Sequence, residues 1–336
     1  MTMTSIGDLA GNFANRLHTV RIKTELLQLN NELSTGRPTD PVAHLGGDTS
    51  RLALIDRDIA VASARVSAAT GLGQFLTTMQ TALDAIEGVR SNVVAHLLPI
   101  NGASTSLDIA RASDAGAGAF RQIVSQLNSS YGGAALFAGT ATDGAALADA
   151  DLMLASLSTA AAGAVTASDV IAAVDDWFNN PAGGFASMGY LGDTGAPLER
   201  RIENDVGVTI NARADHPALK ELLRSTAVLA LANDPTLALS DSTALTLVSN
   251  ELPQMMSSSG TLTDLRADVG YQEERTTEAA TRNSALAASL TIMRNELALV
   301  DPYATAVALK ERETQLETQF TLTARLSNLS LVNYLR

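Results

Sequence analysis

Apolar residues recur every three or four positions along most of this chain, and the long stretches over which they do so predict long helices. Near the start, Ile6, Leu9, Phe13, Leu17, Val20, Thr24 and Leu27 form one stripe, while Ile22, Leu26, Leu29 and Leu33 form a second. Together they predict a helix of about thirty residues with two apolar faces. Gly36 stops it, with Pro38 and Pro41 beyond, so residues 35–47 read as a loop. Asp48 or Thr49 then caps a new helix with a long seam: Leu52, Ile55, Ile59, Ala62, Val66, Ala69, Gly73, Leu76, Leu83, Ile86, Val93 and Leu97. Arg90 interrupts that seam, and is expected to lay its stem along the interface with its head in water. After a turn at 99–104, Ile109, Ala112, Gly116, Phe120, Ile123 and Leu127 mark a second, antiparallel helix.

The pattern changes over 132–211. Gly, Ala, Asp, Asn and Pro cluster in short runs, which are turn signals between short strands. Ser168–Phe178 reads as one short helix with a Ser or Asp cap, and Arg200–Ile210 as a strand. The helical period returns at Pro217–Leu231. A further long seam follows Asp241, with a kink or break expected at Pro253 and Ser257–Gly260. Asp301-Pro302 opens the last helix. One of its stripes is Ala306, Leu309, Leu316, Phe320, Ala324, Leu331 and Tyr334, and the other is Leu322, Leu326, Leu329 and Val332. A helix apolar on several faces expects to be surrounded. The predicted fold is mainly α with a small α/β or β insert, a nested antiparallel rod of long helices built from both chain ends. Residues 1–45 and 301–336 would form a terminal coiled-coil domain, 46–131 and 212–300 a helical rod, and 132–211 an inserted domain.

Composition narrows the function. The chain of 336 residues is 46% hydrophobic but only 4% aromatic, which suits long, close-packed helices better than a pocketed enzyme. Its formal charge of −13 leaves no electrostatic footprint for nucleic acid or anionic lipid. With no cysteine, disulfides, thiolate metal sites and cysteine nucleophiles are excluded. The first residues lack a basic flank followed by an apolar core, so no cleaved secretory signal is expected. No apolar run approaches the roughly 20 residues needed to span a bilayer, so membrane insertion is not expected.

Three stretches carry a family resemblance. Leu33-Ser34-Thr35-Gly36-Arg37 followed by Asp40-Pro41-Val42-Ala43 resembles the helix-stop-and-loop signature of the bacterial flagellin family, in the form found in its hook-associated junction proteins. Tyr131–Thr140 (YGGAALFAGT) is similar to the segment that leads into that family's variable domain, and Leu322–Leu335 (LTARLSNLSLVNYL) is similar to its tail. The resemblance implies a structural subunit at the hook–filament junction, outside the cell, exported unfolded through the flagellar secretion channel without a cleaved signal peptide. It implies as partners further copies of the chain, a neighbouring hook-associated junction protein and flagellin, with an export chaperone holding the C-terminal helix beforehand. Filament flagellin is the alternative within the family, and a soluble helical scaffold or binding module the alternative outside it.

Chemical sites compete poorly. His18, His44, His96 and His216 are scattered without metal-ligand spacing. Asp193-Thr194-Gly195 matches the tripeptide of aspartic proteases, but that chemistry needs two such carboxylates face to face, and a turn fits better. Gly71-Leu72-Gly73 sits inside a helical seam and lacks the third glycine of a dinucleotide loop. Asp143, Asp149 and Asp151 do not have the spacing of a calcium loop. No catalytic, metal or cofactor site is expected. The residues expected to act are an assembly interface in which Leu9, Phe13, Leu17, Val20 and Leu27 meet Leu316, Phe320, Leu326, Leu329, Leu331 and Tyr334.

Overall fold

The computed structural model describes residues 6–203 and 207–328. Its elements are α1 (Ile6–Thr35), α2 (Pro41–His44), α3 (Ser50–Leu97), α4 (Ser106–Leu127), β1 (Ser130–Tyr131), β2 (Ala134–Ala135), α5 (Ala150–Ala160), α6 (Ala167–Asn179), a π-helical turn (Phe185–Gly189), β3 (Leu198–Arg201), β4 (Gly207–Ile210), α7 (Pro217–Leu231), α8 (Asp241–Ala298) and α9 (Pro302–Asn328). The fold is mainly α with two small antiparallel hairpins, β1–β2 and β3–β4. The chain divides into two compact units, unit one from 1–63 with 284–336 and unit two from 64–283.

Helix ends fall where local chemistry puts them. Gly36 adopts φ +69°, a region open to glycine at no steric cost, and its N–H returns to Glu32 O at 2.8 Å. The expected loop that follows contains one helical turn, α2, because the Asp40 carboxylate accepts from the N–H of Val42 and Ala43, each at 3.0 Å. Asp48 accepts from Ser50 N at the start of α3. A reciprocal box between Thr105 and Asp108 opens α4. Asp301 accepts from Tyr303 N at 2.8 Å and so opens α9.

Unit two holds one hydrophobic core, running from Ala69 to Ala279 and including Leu76, Phe120, Phe137, Trp177 and Leu223. Within it α3 and α8 run antiparallel. Gly73 faces Thr276, Gln80 Nε2 donates to Arg266 O, Arg266 pairs with Asp84, and Arg90 reaches Met255. Helices α4 and α7 approach closely at Gly116, where a Cβ would fall 2.4 Å from Leu229 Cβ.

Several expectations are corrected. Arg90 is buried, with its guanidinium out of water: Nη1 donates to Met255 O at 2.7 Å and Nη2 pairs with Glu87 at 2.6 Å. The long seam therefore tolerates a charge because a carbonyl and a carboxylate meet it. Helix α8 runs through Pro253 and the serine run without interruption. Leu247, Val248 and Met255 are buried to either side of the proline, so tertiary packing outweighs the lost N–H and the weak propensity. The 132–211 region contains an unexpected helix, α5, capped by Asp149, together with α6, whose cap is Thr166 in a box with Asp169. The expected single strand at 200–210 is a hairpin in which Leu198 pairs with Ile210 and Arg201 with Gly207.

Candidate assembly interface

In unit one α1 and α9 lie side by side and antiparallel. Their shared face is built from the second stripe of α1: Ile22 is 4% exposed, and Leu26 and Leu29 are half-buried. From α9 come Thr305, which is buried, and Leu309 and Leu316, which are half-buried. Polar groups fix the register. Gln319 Nε2 donates to Asn15 Oδ1 at 3.3 Å, Arg312 pairs with Glu25 at 3.1 Å, and Val300 N–H donates to Gly36 O at 3.1 Å. The Lys23 ammonium lies 5.8 Å from the centre of the Phe320 ring, within cation–π range.

The first stripe of α1 is left outside this pair. Phe13 is 65% exposed and Leu27 72%, with Leu17 and Val20 also exposed. Val20 shares a surface hollow with Phe320, and Leu27 shares another with Leu309. Phe320 itself is half exposed. The side chains of Leu9 and Leu326, and Leu329, Leu331 and Tyr334 altogether, lie outside the described residues. Periodicity sets the first stripe of α1, with Phe13, Leu17, Val20 and Leu27, against the last helix; within the chain the second stripe takes that face. The choice is made by Asn15, Glu25, Arg312 and Gln319, polar seam positions that apolar periodicity does not register.

The two units differ in how they dispose of apolar surface and charge. Among the described residues, sixteen exposed large hydrophobics fall in unit one and seven in unit two, although unit two is the longer. Unit one includes Leu54, Val61, Leu286 and Ile292 on its portions of α3 and α8. Its buried apolar side chains are few: Ile22, Ile55 and Ala62. Unit one holds 11 Lys and Arg against 12 Asp and Glu, whereas unit two holds 12 against 24. Uncovered apolar stripes on a nearly neutral unit mark a candidate docking surface.

Residues 256–335 match the family model described as the bacterial flagellin C-terminal helical region. The match covers 80 of the chain's 336 residues. Among solved structures, the chain is similar to one assigned as a flagellar hook-associated protein from Vibrio parahaemolyticus, with 15% identity, coverage of 77% of this chain and 98% of that one, and a TM-score of 0.48. Among curated proteins, none matches it. No helix among its described residues is long and apolar enough to cross a membrane.

The residues weighed for chemistry have structural roles. The Asp193 carboxylate accepts from Thr140 Oγ1 and from Gly195 N, the latter at 2.9 Å, and these bonds hold it below the usual carboxylate range. That is the turn expected there. Asp149 caps α5, and Asp151 pairs with Arg121 at 2.7 Å. His216 caps α7, its Nδ1 accepting from Ala218 N at 3.3 Å, and burial pushes its pKa down. His18, His44 and His96 are exposed. One buried cluster leaves no mark on the sequence pattern. Arg224 of α7 meets Glu251 of α8 through Nη1 at 3.2 Å, Asp175 of α6 through Nε, and Glu221 one turn away. Burial pushes the Glu251 carboxyl up, against the pull of Arg224. The cluster ties three helices of unit two together. Only the contact between helices far apart in sequence reveals it.

Proposed function

We propose that the chain is a flagellin-family junction subunit of the bacterial flagellum, of the hook-associated protein 3 type, and that it links hook to filament by helix packing and polymerisation. The observation that carries this reading is the uncovered apolar surface of unit one. Phe13, Leu17, Val20 and Leu27 line the side of α1 that α9 does not cover, and Phe320 stands half exposed beside them. Copies of the chain cover these stripes, together with a neighbouring junction protein on one side and flagellin on the other. The Asp40-Pro41-Val42 form of the post-helix loop favours the junction protein over the filament subunit. Residues 1–45 and 301–336 serve assembly, 46–131 and 212–300 form the rod, and 132–211 are the variable part. Before export, a chaperone on the C-terminal helix hides the same surface, and the chain leaves the cell through the flagellar channel with its N-terminus uncleaved.

Immunolabelling of isolated flagella tests the location: a band at the hook end is expected, whereas label along the whole filament makes the chain a flagellin and overturns the junction assignment. Phe320→Asp tests the interface, because a carboxylate in a packed seam costs several kcal/mol. The variant is expected to keep the helical content of unit two and to form no assemblies; normal assemblies from it contradict the interface.

A further inference from the structure

Unit two carries an excess of twelve acidic groups, and its cations are mostly spent on them: Arg121, Arg213, Arg224, Arg266 and Arg282 each meet a carboxylate. Arg200 and Arg201 do not. They are exposed on β3, and neither has a carboxylate partner among the described residues. Both stand at the edge of an apolar trough of about 400 Å³ floored by Leu72, Phe75, Leu198 and Ile210. At Gly71, on the wall formed by α3, an added Cβ would meet nothing within 4 Å, so the trough stays open there. An apolar floor with Arg200 on the same strand face as Leu198 and Arg201 next to it, neither with a carboxylate partner among the described residues, fits an apolar or small-residue surface edged with carboxylates.

The same unit carries such a surface. Along α8, Gly270, Thr277 and Thr281 leave an open hollow of about 730 Å³ edged by Glu273, Glu274, Glu278 and Arg282, of which Glu278 and Arg282 pair with each other at 3.5 Å. Glu274 is exposed and has no cation partner among the described residues. We propose that the arginine-rimmed trough beside β3 is a docking site for this acidic face of α8 from a second copy. Two bodies that each carry an excess of twelve acidic groups repel unless their few free cations meet acids, and this pairing achieves that. Trough and acidic face are different patches of one chain, so the contact is heterologous and propagates from copy to copy instead of closing as a dimer. The proposal rests on the self-association reading and adds to it a second contact, made by unit two.

Charge reversal with cross-rescue tests it, read as the critical concentration for assembly by sedimentation at low salt. Arg200→Glu with Arg201→Glu is expected to raise that concentration at least tenfold, and Glu274→Lys to raise it in the same direction. An equimolar mixture of the two variants is expected to assemble near the wild-type concentration, because each supplies the charge the other lacks. Circular dichroism melts of both variants, expected to match wild type, separate loss of contact from loss of fold. A critical concentration within twofold of wild type for the arginine variant, while Phe320→Asp abolishes assembly, overturns the docking site and leaves the unit-one interface standing. A mixture that fails to recover overturns α8 as the occupant. A wild-type chain that never self-associates overturns both.

Discussion

Phe13→Ala separates the two jobs a hydrophobic residue can do. In the isolated chain Phe13 is 65% exposed, so about a third of its surface contributes to the fold of the monomer. Full burial of such a side chain stabilises by about 1.5–3 kcal/mol. The share left for a neighbouring copy is then roughly 1–2 kcal/mol per contact, and the monomer loses at most about 1 kcal/mol. At about 1.4 kcal/mol per tenfold, the critical concentration for assembly should rise roughly 5- to 30-fold. Sedimentation of a concentration series measures that shift, and a thermal melt of the dilute chain measures the monomer. A critical concentration within twofold of wild type refutes the assignment of this stripe to intermolecular burial. A large drop in the dilute melting temperature refutes it from the other side, by making Phe13 a core residue of the single chain.

Two further outcomes concern unit two. Glu251→Ala removes the fully buried partner of Arg224 and should cost about 3 kcal/mol or somewhat more in denaturant melts, near the low end for a broken buried pair because Asp175 and Glu221 remain. Replacing Arg224 by Met and Glu251 by Leu together should lie within about 2 kcal/mol of wild type or above it, and a double variant as unstable as the single contradicts the desolvation argument. The folded-state pKa of His216 is depressed below its ordinary 6.5, so the unfolded chain takes up that proton first. Its contribution is fully present above about 6.5 and is lost as pH falls through that value toward the folded pKa. His216→Asn keeps a good N-cap and should flatten the slope of stability against pH in that window; an unchanged slope assigns it to other groups.

Much of this architecture was legible because it repeats a simple period. The bounds of α7, the stop at Gly36, the start at Asp301-Pro302 and the long seams of α3 and α8 follow from three-four spacing and end chemistry. The failures share a cause: each depends on a partner distant in sequence. Pro253 stays helical because Leu247 and Met255 are buried around it, and Arg90 is buried because Met255 O and Glu87 receive it. Helix α5 is a short Ala- and Leu-rich stretch whose neighbours are rich in turn residues, so its period is too brief to stand out. The candidate interface was legible as a set of stripes and not as an arrangement. Periodicity shows that a helix has two apolar faces, but Gln319 on Asn15 and Arg312 on Glu25 decide which face the chain covers for itself.

Hydrogen exchange measured on the dilute chain and on its assemblies goes to the heart of the matter. If unit one depends on neighbouring copies for its burial, amides of 10–35 and 302–328 exchange fast in the dilute chain and slow in the assembly, while the core helices α4 and α7 stay protected in both. Strong protection of α1 and α9 in the dilute chain, unchanged on assembly, would contradict this, because those helices would then be stable without any neighbour.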